Sequence, residues 1–274
     1  MKPAPFDHLT PATPAAVIDA LAGETSKIIA GGQSLGPMLN LRLARPERIV
    51  GLTALPGLRD IRQEAGRLVI GAGVTHARIE DNDTPLPLPL MLRHVARGIA
   101  YRAVRNKGTI GGSLAHADPA ADWITTLTAL AATVHVTGPQ GTAREVPMSD
   151  FMRGAYRTAL GAQDILTAVS IDAQMGDALW GYDKICRKIG EFADAIGAFV
   201  VHPASGHAKL IAGATGARPL ILTDLAASIA RSAQHPGDPA LLAALRAQLP
   251  GADRVKLHLL TTALSRAIAK VIPA

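Results

Sequence analysis

The sequence predicts an α+β fold. Short apolar runs of strand length alternate with helix-periodic segments in an irregular order, no long repeat recurs, and the C-terminal stretch is rich in Ala and Leu. With 274 residues, 48% of them hydrophobic, the chain can bury a sizeable core and is expected to fold as about two or three domains.

The elements read as follows. Thr13 is placed to cap a helix from Pro14 through Leu21, with proline at the first position and Gly23 beyond its end. Lys27-Ile28-Ile29-Ala30 reads as a strand running into Gly31-Gly32. Arg48-Ile49-Val50 and, after a Glu64-Ala65-Gly66 turn, Arg67-Leu68-Val69-Ile70 read as two more. The prolines of Thr84 to Pro89 dictate an extended loop, and a helix is expected from Leu90 to Ala100. Asp118 and Pro119 read as the cap and first residue of a helix reaching Ala132. Strands are expected at 133–136 and 164–171, then a boundary near 172–178. Further strands fall at 180–185 and 197–201, and two helices within 239–274.

Composition narrows the function. Aromatic residues are only 3%, too few for a base-stacking surface, and the arginines behind the net charge of +6 are scattered. A basic nucleic-acid-binding protein is therefore disfavoured. Solvated faces, an anionic ligand or an acidic partner suit the charge better. The single cysteine, Cys186, leaves no disulfide framework and too few thiolates for an iron–sulfur cluster held by this chain alone. It reads as a small buried residue. The nine histidines show no metal-ligand spacing, and no Ser-His-Asp set can be argued. The N-terminal residues carry no apolar signal core. The longest uncharged stretch, 123–142, is broken by Gly138 and Pro139, so a cytoplasmic component without a membrane span is expected.

Two glycine segments carry the functional signal. Ala30-Gly31-Gly32-Gln33-Ser34-Leu35 and Ile110-Gly111-Gly112-Ser113-Leu114 each follow apolar residues, and each sets two glycines and a hydroxyl before leucine. Glycines permit positive φ and close approach, so successive amides can cup an anionic oxygen. Two such turns on one diphosphate would make a dinucleotide site. Gly71-Ala72-Gly73-Val74-Thr75-His76 begins like a Rossmann fingerprint, but His76 stands where the third glycine belongs, and no P-loop is present.

The longer context resembles a known family. The first glycine segment with Leu41-Arg42-Leu43-Ala44-Arg45-Pro46, and the run from Arg105 through Thr109-Ile110-Gly111-Gly112-Ser113 to Asp122, resemble the two FAD signatures of the medium subunits of the xanthine dehydrogenase family. Lys184 to Ala193 resembles a third segment near the flavin. Within that family the chain resembles the carbon monoxide dehydrogenase medium subunits and the related aza-arene hydroxylase subunits.

The resemblance implies a two-subdomain FAD-binding region of the PCMH/vanillyl-alcohol-oxidase-like type, 1–56 and 57–174, then a small α+β C-terminal domain, 175–274. It implies that Ala30, Gly31, Gly32, Gln33, Ser34 and Leu35, with Thr109, Ile110, Gly111, Gly112 and Ser113, cradle the FAD. Asp122 is implied as an acidic group bonding FAD, and Lys184 as a cation at the pyrimidine edge, where positive charge raises the flavin potential. Ile99, Leu166 and Phe192 are implied beside the cofactor. His116 is expected to be structural or near the flavin, and Asp118 mainly a cap. Phe192 falls where relatives often carry tyrosine, Gly51 where they commonly carry Asp, and the C-terminal part is shorter than usual.

FAD is thus expected here non-covalently, with molybdopterin and [2Fe-2S] clusters on partner chains only. Those partners are a large molybdopterin-binding subunit and a small iron–sulfur subunit, expected as a dimer of heterotrimers. The rival reading is a stand-alone FAD oxidoreductase of the same fold. The sequence offers it no acid, base or substrate clamp.

Overall fold

The structure, a computed structural model, describes residues 2–23 and 25–272. It is α+β, built on three main sheets in chain order. The first part holds β1 (Asp7–Leu9), α1 (Pro14–Ala20), β2 (Ser26–Ile29), α2 (Leu35–Asn40) and β3 (Arg48–Gly51). Its strands form a parallel sheet in the order β1-β3-β2. Thr13 caps α1 as read, its Oγ1 accepting from Ala16 N at 3.2 Å. β1 was not anticipated because all three of its residues are exposed and leave no apolar pattern. Gly51 ends β3, and a Cβ there would lie 3.2 Å from His8 Nε2.

The second part opens with the hairpin β4 (Ile61–Glu64) and β5 (Arg67–Gly71). It continues through α3 (His76–Asp81), α4 (Leu90–Arg97), α5 (Arg102–Arg105), α6 (Ile110–His116) and α7 (Asp122–Ala129). There follow β6 (Thr133–Thr137), β7 (Ala143–Pro147), α8 (Met148–Phe151), the small hairpin β8 (Met152–Gly154) and β9 (Arg157–Thr158), and β10 (Ile165–Asp172). The sheet runs β4-β5-β10-β6-β7, antiparallel throughout. β5 is antiparallel to both neighbours, so the Gly71-x-Gly73 stretch belongs to no parallel βαβ unit, in keeping with the Rossmann motif that His76 already breaks.

Two expectations are corrected here. The second glycine segment, read as a ligand-cupping turn, is the first turn of α6. The helix expected with Asp118 as cap and Pro119 as first residue starts three residues later, at Asp122 with Ala121 as N-cap. Ala117 sits in the left-handed region at φ 51°, and Asp118 closes a tight turn by accepting from Ala120 N at 2.9 Å. Chain in that conformation cannot yet be helical. Every residue of α7 is buried. Its Thr126 and Thr128 hydroxyls are satisfied by the carbonyls of Asp122 and Ile124, at 2.8 and 2.7 Å, which lets threonines sit in a helix without access to water.

A short 3-10 segment, Ala173–Asp177, occupies the expected boundary. Beyond it, β11 (Leu179–Ile185), β12 (Ala195–His202), β13 (His207–Gly213) and β14 (Leu220–Ile221) form an antiparallel meander. Three helices cover it: α9 (Thr223–Ser232), α10 (Asp238–Gln248) and α11 (Arg254–Ala269). The two helices expected within 239–274 are α10 and α11; residues 273–274 of that stretch lie outside the described residues.

β12 shows why this sheet joins the parts of the molecule. Strand side chains alternate between faces. Ile196, Ala198 and Val200 enter the core shared with α4, α7 and the second sheet, whereas Ala195, Phe199 and Val201 enter a separate core under α9, α10 and α11. Gly181 and Gly197 let α11 lie directly on the sheet, because a Cβ at either would strike the α11 backbone at Ala267 or Ala263.

Candidate functional site

The cleft is best built from its two glycine segments. In the first, Gly32 adopts φ 69°, a conformation that needs glycine or strains any other residue. The turn leads into α2. Among the described residues, the amides of Gly31, Gly32, Gln33 and Ser34 donate to no protein acceptor. They are available to an anion, as the sequence reading required.

The second segment works differently. Thr109 is the N-cap of α6, and its Oγ1 accepts from Gly112 N at 3.0 Å. Gly111 N donates to Ala72 O at 3.0 Å, and Ser113 N to Thr109 O at 3.0 Å. These amides are already used, and neither glycine has positive φ. Their role is thinness: a Cβ on Gly111 would lie 2.5 Å from Ala72 Cβ. Likewise a Cβ on Gly31 would strike the Lys107 carbonyl and lie 2.8 Å from Gly108 Cα. The first segment therefore lies directly against the residues that lead into the second, and a Cβ on Gly112 would come within 3.5 Å of Ala30 Cβ.

They meet on a cleft of about 1010 Å³. All the residues that the sequence assigns to the site line it, except Ile110. Ile110 is fully buried in the core, and its N–H donates to Val74 O at 3.0 Å. Ser34 and Ser113 stand on the wall with Ile99, Leu166 and Phe192, and Phe192 is largely exposed at the rim.

Asp122 and Lys184 form a buried pair in this wall. Lys184 Nζ lies 3.0 and 3.2 Å from the two Asp122 carboxylate oxygens and donates to Gly98 O at 3.1 Å. Tyr182 donates its hydroxyl to Asp122 Oδ1 at 2.6 Å. Burial pushes the Asp122 carboxyl above its ordinary pKa, while the Lys184 charge and the Tyr182 hydrogen bond oppose it. Tyr182 is likewise pushed well up, first by burial and then by the adjacent carboxylate. Strand periodicity explains the grouping: Tyr182 and Lys184 lie on one face of β11. Asp183 faces the other way and pairs with Lys270 at 3.1 Å.

The lip of the cleft is fastened from two sides. Arg105, mostly buried, donates to Ile99 O and Ala100 O at 3.0 and 2.9 Å and pairs with Glu80 at 2.7 Å. Ile99 also bridges to Gly190, whose φ of 91° brings the segment before Phe192 against Ala100. On another edge, Tyr156 donates to Asp118 Oδ2 at 3.2 Å and packs its ring on His116, with centroids 5.3 Å apart. Cys186 is half-buried just past β11 rather than fully buried.

Sequence reasoning missed His76, Tyr156 and Tyr182. Two had a visible signal. Tyr182 stands two residues before Lys184 on a predicted strand, and His76 occupies the position that broke the Rossmann pattern.

This cleft fits a dinucleotide: unpaired amides for a diphosphate, hydroxyls beside them, and an apolar and charged wall for a ring system. Residues 4–173 match the family described as "FAD binding domain in molybdopterin dehydrogenase". The chain is 36% identical over 209 residues to the nicotine 6-hydroxylase medium subunit of Paenarthrobacter nicotinovorans, covering 75% of this chain and 73% of that one. It is 38% identical over 209 residues to the carbon monoxide dehydrogenase medium chain of Afipia carboxidovorans, covering 75% and 72%. Among solved structures, reconstituted CO dehydrogenase from Oligotropha carboxidovorans aligns with TM-score 0.90 at 30% identity over 99% of both chains. Quinoline 2-oxidoreductase from Pseudomonas putida 86 aligns with TM-score 0.85 at 32% identity over 99% and 98%. Fold and site thus define an FAD-binding oxidoreductase component. The chain belongs to the family of FAD-binding medium subunits of molybdenum hydroxylases. No described helix is long and apolar enough to cross a membrane.

Proposed function

We propose that this chain is the electron-transfer flavoprotein subunit of a heterotrimeric molybdenum hydroxylase. It would take electrons from the [2Fe-2S] clusters of a small partner and pass them to an external acceptor. A large molybdopterin-binding partner would oxidise the substrate. The observation that carries this reading is the convergence of both glycine segments on one cleft, next to a buried lysine–aspartate pair.

The units are 1–56 and 57–174 around the cofactor, with 175–274 supplying the lip that carries Lys184 and Phe192. Amides of Gly31 to Ser34, with the Ser34 and Ser113 hydroxyls, would hold the diphosphate. Bound FAD supplies a two-electron store that accepts electrons singly. Lys184 and Asp122 would set the polarity of the wall beside it, and Ile99, Leu166 and Phe192 would exclude water. His116 and Asp118 would close the remaining edge. The assembly is a cytoplasmic dimer of heterotrimers.

Purification with the native partners tests this. Three co-purifying chains are expected, together with a flavin spectrum from this chain after separation and no cluster absorption in it. A colourless chain that retains no FAD on reconstitution overturns the reading. An active monomer would favour the stand-alone oxidoreductase.

A further inference from the structure

His76 is the buried titratable group in the cleft wall that the reading above leaves without a task. It opens α3, is only 5% exposed, and lines the cleft beneath Gly108. Its Nδ1 lies 3.1 Å from Trp123 Nε1. Indole nitrogen can only donate, so Nδ1 must be the acceptor and the ring proton must sit on Nε2. Burial, reinforced by the Arg105 charge, lowers the His76 pKa to about 4, so the ring is neutral at physiological pH. Among the described residues Nε2 has no acceptor. Nε2 is not among the buried side-chain atoms closed off without a partner, so this donor is open to the cleft, and a donor held in one tautomer in a cleft wall points to a ligand.

Gly108 leaves that edge of the ring uncovered. A Cβ at 108 would fall 2.9 Å from both His76 Cδ2 and Nε2. Gly108 also touches Gly31, at the start of the turn whose amides are unpaired. The imidazole therefore sits under the junction of the two glycine segments, with its tautomer fixed from behind by Trp123.

We propose that His76 is a cofactor-binding residue that donates Nε2–H to an acceptor oxygen of the bound dinucleotide. This rests on the assignment of the cleft to FAD. Because the ring is held neutral and in one tautomer, the donor is ready before binding and needs no reorganisation.

The full chain, stripped of flavin and titrated with FAD by fluorescence quenching, provides the test. His76→Phe is expected to weaken FAD binding by about tenfold or more, the loss of a hydrogen bond to an anionic or strongly polar acceptor. His76→Gln can accept from Trp123 and still donate, so it is expected to restore most of that loss. The wild-type chain with 15N-labelled histidine gives a readout that does not depend on any variant folding. FAD should shift the His76 Nε2 resonance and protect its proton from exchange, while Nδ1 keeps the signature of an acceptor. An unmoved Nε2 resonance in FAD-loaded protein, or a folded His76→Phe that binds FAD as tightly as wild type, overturns the proposal. A wild-type chain that takes up no FAD brings down the flavin assignment itself, and this proposal with it.

Discussion

The two glycine segments share a sequence pattern and differ in physics. Around Gly32 the backbone enters the left-handed region and leaves a row of amides without partners. Around Gly111 the backbone is ordinary helix, capped by Thr109, with its amides already bonded. The first segment is shaped to receive an anion. The second is shaped to be thin, so that helix, strand and first segment can pack against one another. A shared motif can thus reflect one ligand served by two unlike devices. The difference lies in backbone hydrogen bonding, which a glycine count does not reveal.

This contrast can be attacked from its largest expected effect downward. The packing side of the cleft rests on a neutral His76. Its pKa falls from 6.5 to about 4 on folding, so between those values the unfolded chain binds more protons. Stability should therefore be intact above the unfolded pKa and be lost as pH falls toward about 4, by about 3 kcal/mol at 1.36 kcal/mol per unit. Denaturant melts of wild type and His76→Gln across that window check this; an equal pH slope in both would refute it.

Gly111→Ala comes next. The added methyl meets Ala72 from both side chain and backbone, and a loss of about 2–3 kcal/mol is expected in thermal melts of the flavin-free chain. Gly32→Ala should cost about 1–2 kcal/mol, for left-handed strain alone, since its Cβ meets only the Ile29 side chain, 3.3 Å away. It should weaken FAD binding out of proportion to that cost, whereas Gly111→Ala should show the reverse bias. If the two substitutions affect melting and FAD affinity in the same ratio, the division of labour is wrong. Smallest is Thr109→Val, which removes the cap of α6 and should cost about 1 kcal/mol, while Thr109→Ser retains most of it.

Much of this was legible without coordinates. Thr13 and Pro14 announced α1, and the apolar runs near 27, 48, 67, 133, 165 and 180 all became strands. β1 and β4 were not legible, because three exposed residues and a strand with one buried residue carry almost no period. Asp118 misled for a local reason. Its side chain and the proline after it suit a helix start, but the left-handed Ala117 and the tight turn at 118–121 delay the helix to Asp122. The site residues were found as isolated matches, and what was missed is what joins them. Tyr182, Tyr156 and His76 touch residues distant in sequence, and single-chain pattern holds no record of such contacts.

By itself the sequence determined the α+β class, the family and, Ile110 aside, a set of residues that line one cleft, because glycines, caps, hydrophobic period and signature order are local properties. Only the tertiary structure decided what each glycine is for. It also decided that Ile110 belongs to the core, that Asp122 spends both carboxylate oxygens on Lys184 and Tyr182, and that Trp123 fixes the tautomer of His76. The physical reason is the same in each case. A hydrogen bond or a forbidden Cβ is defined by the partner that arrives from elsewhere in the chain, and that partner is specified only once the fold has closed.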